Sequence, residues 1–379
     1  MTSLGNTKQA AGSGNPPIPD TESQTPQPRP PEIRSNNVVA SYSALLKSVR
    51  QAGLLQRRSR FYVFILATLV VLLAGTWTGF AFLGDSWFQL LIAAGLGILL
   101  TQFAFWAHEA AHNQIFASRA ANAWTGRIVG TAVVGMSYAY WNDKHGRHHV
   151  RPNTIDKDPD IKTGAVAFYE EAAASRGKLM GLVTRRQGWL LFPLICFLGI
   201  TLHIDSVRFL MTQAAVKHRW TELSALVVRF GLYLGIVFLF LPLGMAFAFI
   251  GVQLGVFGFY MGASFAPNHK GMPILPKDTD ADFLSRQVLT SRNISGGGYI
   301  TALMGGLNYQ IEHHLFPDMA RPNLRRAQVI VRQYCAEQEI PYTETSLLAS
   351  YGIVVRYLNR VGLSAADPFN CPLASQYRK

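Results

Sequence analysis

The sequence predicts an all-α integral membrane protein, with four transmembrane helices in two hairpins and a cytoplasmic helical cap. Three observations lead there. Residues 61–83 and 87–106 carry no formal charge, and each stretch is long enough to cross about 30 Å of hydrocarbon as a helix. A second apolar region, Ala225 to Ala266, has Arg229 as its only charge and Pro242 and Gly244 near its middle. It is too long for one crossing and suits two. The third observation is where the basic residues fall. The formal net charge is +13, yet no Lys or Arg lies between Arg60 and Arg119. They gather instead at Lys47, Arg50, Arg57, Arg58 and Arg60, at Arg208, Lys217 and Arg219, and at Lys270 and Lys277. By the positive-inside rule these flanks are cytoplasmic, and the joints Gly84–Ser86 and Leu241–Gly244 face the other side. Placed this way, the basic excess reads as attraction to a membrane surface and gives no reason to expect nucleic acid.

From the N-terminus, residues 1–38 are polar and contain Pro16, Pro17, Pro19, Pro26, Pro28, Pro30 and Pro31. Without an apolar core they are no signal peptide, and they read as a disordered tail. Over residues 39–60, Tyr42, Leu45, Leu46 and Val49 recur at helical spacing beside Lys47 and Arg50, which predicts an amphipathic helix on the membrane surface. The body of the chain spans 61–360, with crossings at about 61–83, 87–107, 225–241 and 244–266. Residues 128–141 are apolar but too short to cross. Trp189 to His203 is also short, and a crossing there would put residues beyond 266 on the wrong side, so it reads as interfacial or re-entrant. Two helices close the body, one with Leu324, Ala327, Val331 and Tyr334 on a face and one centred on Tyr351 to Leu358. Residues 361–379 form a tail. Cys196, Cys335 and Cys371 have neither disulfide nor metal spacing and read as reduced and structural.

Eight of the ten histidines fall in four places, all on the expected cytoplasmic side: His108 and His112; His145, His148 and His149; His269; His313 and His314. His108-Glu109-Ala110-Ala111-His112 alone fits a zinc peptidase, with Glu109 as general base. That reading leaves the other six imidazoles without a purpose. In the second place, positions i, i+3 and i+4 share a helix face, and Gln310, His313 and His314 repeat the spacing. Eight imidazoles are too many for one tetrahedral zinc and suit two metal ions. A chemistry that needs such a site is attack on an unactivated C–H bond, which no protein acid or base can perform. His203 reads as a satisfied interfacial histidine, and His218, between Lys217 and Arg219, as part of the basic face.

These residues resemble the membrane fatty acid desaturases with three histidine boxes. The match is H-x-x-x-H at His108–His112, H-x-x-H-H at His145–His149 and Q-x-x-H-H at Gln310–His314, and it covers roughly residues 40–360. The resemblance implies a cytoplasmic di-iron centre that uses O2 and two supplied electrons to desaturate an acyl chain. The ligands it implies are His108, His112, His145, His148, His149, His313 and His314, with His269 matching an extra histidine after the fourth span. Gln310 departs from the ligating histidine of many members. It looks like the front-end subgroup and the bacterial linoleoyl-CoA-desaturase-like group, but the H-P-G-G motif of a fused cytochrome b5 is absent. The expected electron donor is therefore a separate ferredoxin or flavin reductase. Asn268 is expected to orient a metal-bound water. Asp156, Asp158 and Asp160 resemble the D-P-D-I segment that can hold ligand histidines by hydrogen bonds, and Asn308 and Glu312 are expected to do similar work. The substrate is acyl-CoA or an acyl lipid drawn from the membrane. The expected location is a bacterial inner membrane, with active site and both termini cytoplasmic. An alkane or fatty acid hydroxylase of the same architecture is the nearest alternative, and a membrane zinc metallopeptidase the remote one.

Overall fold

A computed structural model describes residues 38–364. The proline-rich tail, the end of the C-terminal tail and Cys371 lie outside the described residues. The helices in chain order are α1 (Val38–Gln51), α2 (Ser59–Leu83), α3 (Gln89–Ala111), α4 (Arg119–Arg127), α5 (Tyr138–Val150), α6 (Glu170–Ala174), α7 (Lys178–Thr184) and α8 (Gln187–Ile195). They continue with α9 (Leu198–Thr212), α10 (Arg219–Phe240), α11 (Leu243–His269), α12 (Phe283–Leu289), α13 (Gly298–Leu303), α14 (Gln310–Leu315), α15 (Arg321–Glu337) and α16 (Leu347–Ser364).

Four of these, α2, α3, α10 and α11, are long and apolar enough to cross a membrane. Their outer faces agree with that solvent. On α2 and α10, Phe64 is 69 % and Leu239 81 % exposed, a density of bare apolar surface that water does not favour. Inward, Tyr62, Leu96, Leu100, Phe103, Phe249 and Phe257 pack into one core. Phe80 meets Phe249 edge-on at 5.4 Å, and Trp77 meets Tyr233 at 6.3 Å. α3 is the most enclosed of the four helices, which suits the element that leads into the first histidine pair.

Several expected boundaries move. α10 begins at Arg219 because its first turn is held by Glu222, a buried carboxylate, rather than by lipid. α11 continues through Pro267 to His269, so the fourth apolar run ends on the histidine itself. Residues 128–141 are not one element. A π-helical turn, Ile128–Val134, ends at Gly135 with a left-handed φ of 91°, and α5 starts afresh at Tyr138. The Trp189–His203 stretch falls in α8 and α9, which are bent by 68° and raise the candidate spans to as many as five. α1 does not reserve its apolar face for lipid: Leu45 and Val49 are buried with Leu284, Leu315, Leu324 and Val331 of α12, α14 and α15. The fold is also not wholly helical, since Asn293–Ser295 pairs in parallel with Glu344–Ser346. That short sheet ties the segment before α13 to the segment before α16.

Candidate metal centre

Each histidine-bearing helix ends or begins where its sequence dictates. α3 stops at Ala111, His112 caps it, and Asn113 takes a φ of 58°, a left-handed conformation that asparagine tolerates. Ser137 caps the N-terminus of α5 by accepting from the Tyr140 amide, and its hydroxyl donates to Glu222 at 2.6 Å. Glu222 also accepts from Arg127 Nε at 2.8 Å and from the Ala139 amide at 3.2 Å. The start of the second histidine helix is thus fixed to α10 by one buried carboxylate.

The fold brings all eight histidines of the four clusters together, in two groups. Ring nitrogens of His108, His112, His145, His149 and His313 lie within 4.8 Å of one another, and so do those of His148, His269 and His314. His145 Nε2 is 2.9 Å from His108 Nε2 and 3.0 Å from His149 Nε2, and His148 Nε2 is 3.3 Å from His269 Nε2. The His149 and His314 rings stack at 4.2 Å where the groups meet. The expectation that His145, His148 and His149 all point one way is corrected here. At roughly 100° per residue, i and i+4 nearly coincide while neighbours diverge, so His145 and His149 serve one group and His148 the other. His313 and His314 divide in the same manner.

The outer nitrogens decide what the inner ones can do. His148 Nδ1 meets both carboxylate oxygens of Asp158 at 3.0 Å, His269 Nδ1 meets the Thr290 carbonyl at 2.9 Å, and His314 Nδ1 meets Gln287 Oε1 at 2.8 Å. All three partners are acceptors, so each Nδ1 carries the proton and each Nε2 turns a lone pair inward. Among the described residues, His112 Nε2, His313 Nε2 and His314 Nε2 are buried without a hydrogen-bond partner. Lone pairs facing one another repel unless a cation lies between them. Burial, reinforced by neighbouring imidazoles, holds His145, His149, His313 and His314 well below the ordinary histidine pKa, and burial takes His112 down to about 3. These five imidazoles are therefore neutral, the form that binds metal. This donor set fits two metal ions.

The remaining expected residues divide. Burial would raise the Asp158 carboxyl, but His148 beside it holds it below the usual range. Asp160 is 3.6 Å from His148 Nδ1 and pairs with Lys144. Asp156 points away, 61 % exposed and facing Lys277. Gln310 Nε2 is 2.8 Å from His269 Nε2, and its Oε1 accepts from Asn268 Nδ2 at 3.0 Å, so both amides border the three-nitrogen group. Asn308 bonds Thr301 and Glu312 bonds Asn293 and Tyr342; these brace the backbone around α14 and do not reach the imidazoles. His203 meets the Gly135 carbonyl at 2.9 Å, and the His218 ring lies tilted against Trp124 at 4.9 Å. Glu109 is not free to act as a base, because Arg321 clamps its two oxygens at 2.6 Å each. Sequence reasoning missed Gln287, Thr290 and Glu222, which carry no motif and act only through contacts distant in the chain.

An apolar cavity of about 510 Å³ lies along α11, walled by Ile98, Val256, Phe259, Tyr260, Ser264 and Tyr351. The Ser264 carbonyl accepts from Asn268 Nδ2, which connects this wall to the three-nitrogen group.

Residues 85–346 match the fatty acid desaturase family model. The chain is 24 % identical over 352 residues to a Delta(8)-fatty-acid desaturase of Helianthus annuus, covering 89 % of this chain and 77 % of the relative. It is 28 % identical over 283 residues to an acyl-lipid (9-3)-desaturase of Physcomitrium patens, covering 73 % of this chain and 54 % of the relative. To a Delta(5) fatty acid desaturase of Caenorhabditis elegans it is 27 % identical over 350 residues, covering 88 % of this chain and 76 % of the relative.

Proposed function

Since the chain belongs to the fatty acid desaturase family, we propose that it is an O2-dependent acyl desaturase with iron in each imidazole group. His108, His112, His145, His149 and His313 would hold one ion, and His148, His269 and His314 the other, with Gln310 and Asn268 beside the second. The observation that carries this reading is the set of inward Nε2 lone pairs whose Nδ1 protons are committed to Asp158, Thr290 and Gln287. When bound, iron supplies the activation of O2 that removal of hydrogen from a methylene demands. The balance is one –CH2–CH2– unit, O2, two electrons and two protons giving one –CH=CH– unit and two waters.

The chain's own residues do the rest. Asp158, Thr290 and Gln287 keep three imidazoles in one tautomer and orientation. The cavity beneath Ser264 and Tyr260 takes the acyl chain, excludes water from it and presents its methylenes to the centre. Four spans in two hairpins, with the remaining helices as a cytoplasmic cap, deliver all four histidine segments to the cytoplasmic side. Electrons come from a separate ferredoxin or flavin reductase. The acyl carrier is coenzyme A or a membrane lipid, and the moss relative named as an acyl-lipid desaturase supports the lipid. The relatives compared are a plant, a moss and a nematode, so they lend no support to a bacterial inner membrane.

Fatty-acid profiling of a host expressing the protein with such a donor, alongside metal analysis of purified material, tests the proposal. A new double bond, about two irons per chain, and loss of product in His148→Ala are expected. An alcohol product would make it a hydroxylase, and one zinc per chain would overturn the di-iron reading.

A further inference from the structure

Arg229 is the only charged residue of α10 beyond its first turn. Among the described residues its one hydrogen bond runs from Nε to the Val133 carbonyl at 2.7 Å, and it forms no ion pair. Its guanidinium lies 4.9 Å from the Tyr233 ring centroid. A guanidinium offers five N–H donors, so one carbonyl leaves most of its bonding capacity unused, and beside the Tyr233 and Phe230 rings it meets no carboxylate among the described residues. In a helix read as a membrane span that is costly, and no carboxylate among the described residues answers it.

The surroundings indicate what does. Arg229 is the sole charge lining a groove of about 310 Å³ among α2, α3, α10 and the π-helical turn, walled by Leu73, Trp77, Leu100, Leu232 and Ile236. The groove opens outward, since Leu232 is 62 % and Val228 58 % exposed. A helical side chain leans toward its helix N-terminus, here the end that meets Arg127 and Ser137 near the start of α5. Arg229 Cα is roughly 15 Å along the axis from Arg219, and the long stem shortens that reach toward the headgroups by snorkelling. We propose that Arg229 and this groove bind one anionic phospholipid, its phosphate on the guanidinium and an acyl chain along Leu73, Trp77 and Leu232. The site is separate from the histidine groups, and it braces the π-helical turn that precedes α5. The inference rests on α10 being a span and not on the desaturase reading.

The test uses the full chain purified in mild detergent and reconstituted in vesicles of equimolar phosphatidylglycerol and phosphatidylcholine. After re-extraction, retained lipid is counted by native mass spectrometry. Wild type and Arg229→Lys should keep about one phosphatidylglycerol per chain, and Arg229→Gln should lose the preference by at least about fivefold. Equal preference in Arg229→Gln, or none in wild type, overturns the site. Should Arg229→Gln fail to fold, Leu232→Trp decides: it fills the groove and leaves the cation, so loss of retained phosphatidylglycerol upholds the site and undiminished retention overturns it.

Discussion

Replacing Glu109 with glutamine separates two accounts of the first histidine pair. In the structure its carboxylate accepts two bonds of 2.6 Å from Arg321, and the side chains are only 3 % and 7 % exposed. Burial alone would lower the Arg321 pKa, and the Glu109 carboxylate more than offsets that. Glutamine keeps the shape and one acceptor but removes the charge, stranding a buried guanidinium. Breaking a buried pair from one side costs about 3–5 kcal/mol, and the retained acceptor places this variant near the lower end. In a protein of this size that corresponds to a fall in Tm of about 4 °C, read by thermal unfolding in detergent. The double variant Glu109→Leu with Arg321→Leu should recover much of the loss, because no charge is then left unpaired. If Glu109→Gln instead unfolds at the wild-type temperature and yet is inactive, the carboxylate takes part in the chemistry and the clamp reasoning is wrong.

Asp158→Asn keeps only one of the two loop bonds that the carboxylate accepts from the Asn153 and Asp160 amides and weakens the hold on His148, so a chelator titration should show metal affinity lower by about 10- to 100-fold. Glu222→Gln leaves Arg127 facing a neutral amide and should cost about 3 kcal/mol, seen as a lower Tm and faster amide exchange at the start of α5. The metal-free protein should be sensitive to acid. His112, His145, His149, His313 and His314 have depressed pKa values, so the unfolded chain binds more protons below the ordinary histidine pKa of about 6.5. Stability is therefore complete above that pH and falls as pH drops, by up to about 1.4 kcal/mol per unit for each imidazole. For His112 the loss continues down to about pH 3. Denaturant midpoints measured from pH 8 to pH 5 after chelation check the sign; a midpoint that rises on acidification would refute it.

Much of this was legible in the sequence. Uninterrupted apolar length reveals α2, α3, α10 and α11, and ligand spacing reveals the histidines, because both are local properties of the chain. What escaped was long-range. Nothing near Leu45 and Val49 says that their face packs on α12 and α15 rather than on lipid. Nothing in D-P-D-I says that Asp158 turns inward while Asp156 faces Lys277. Glu222 has no motif, because its role is defined by Arg127 and Ser137 some ninety residues earlier. The sharing of α5 between two groups follows from helical geometry, but only once the second set of nitrogens has a place.

The division of the imidazoles between groups also bears on biosynthesis. His108, His112, His145 and His149 emerge early, but their group still lacks His313, and the other group lacks two of its three members until His269 and His314 appear. A cation cannot be fully enclosed until residue 314 of 379 has been made. With the two groups holding metal as proposed, loading is a late event in the life of the chain. A ribosome that stalls before α14 leaves a product that can enter the membrane and still be unable to retain its metals, so metal content reports on completeness of synthesis as well as on activity.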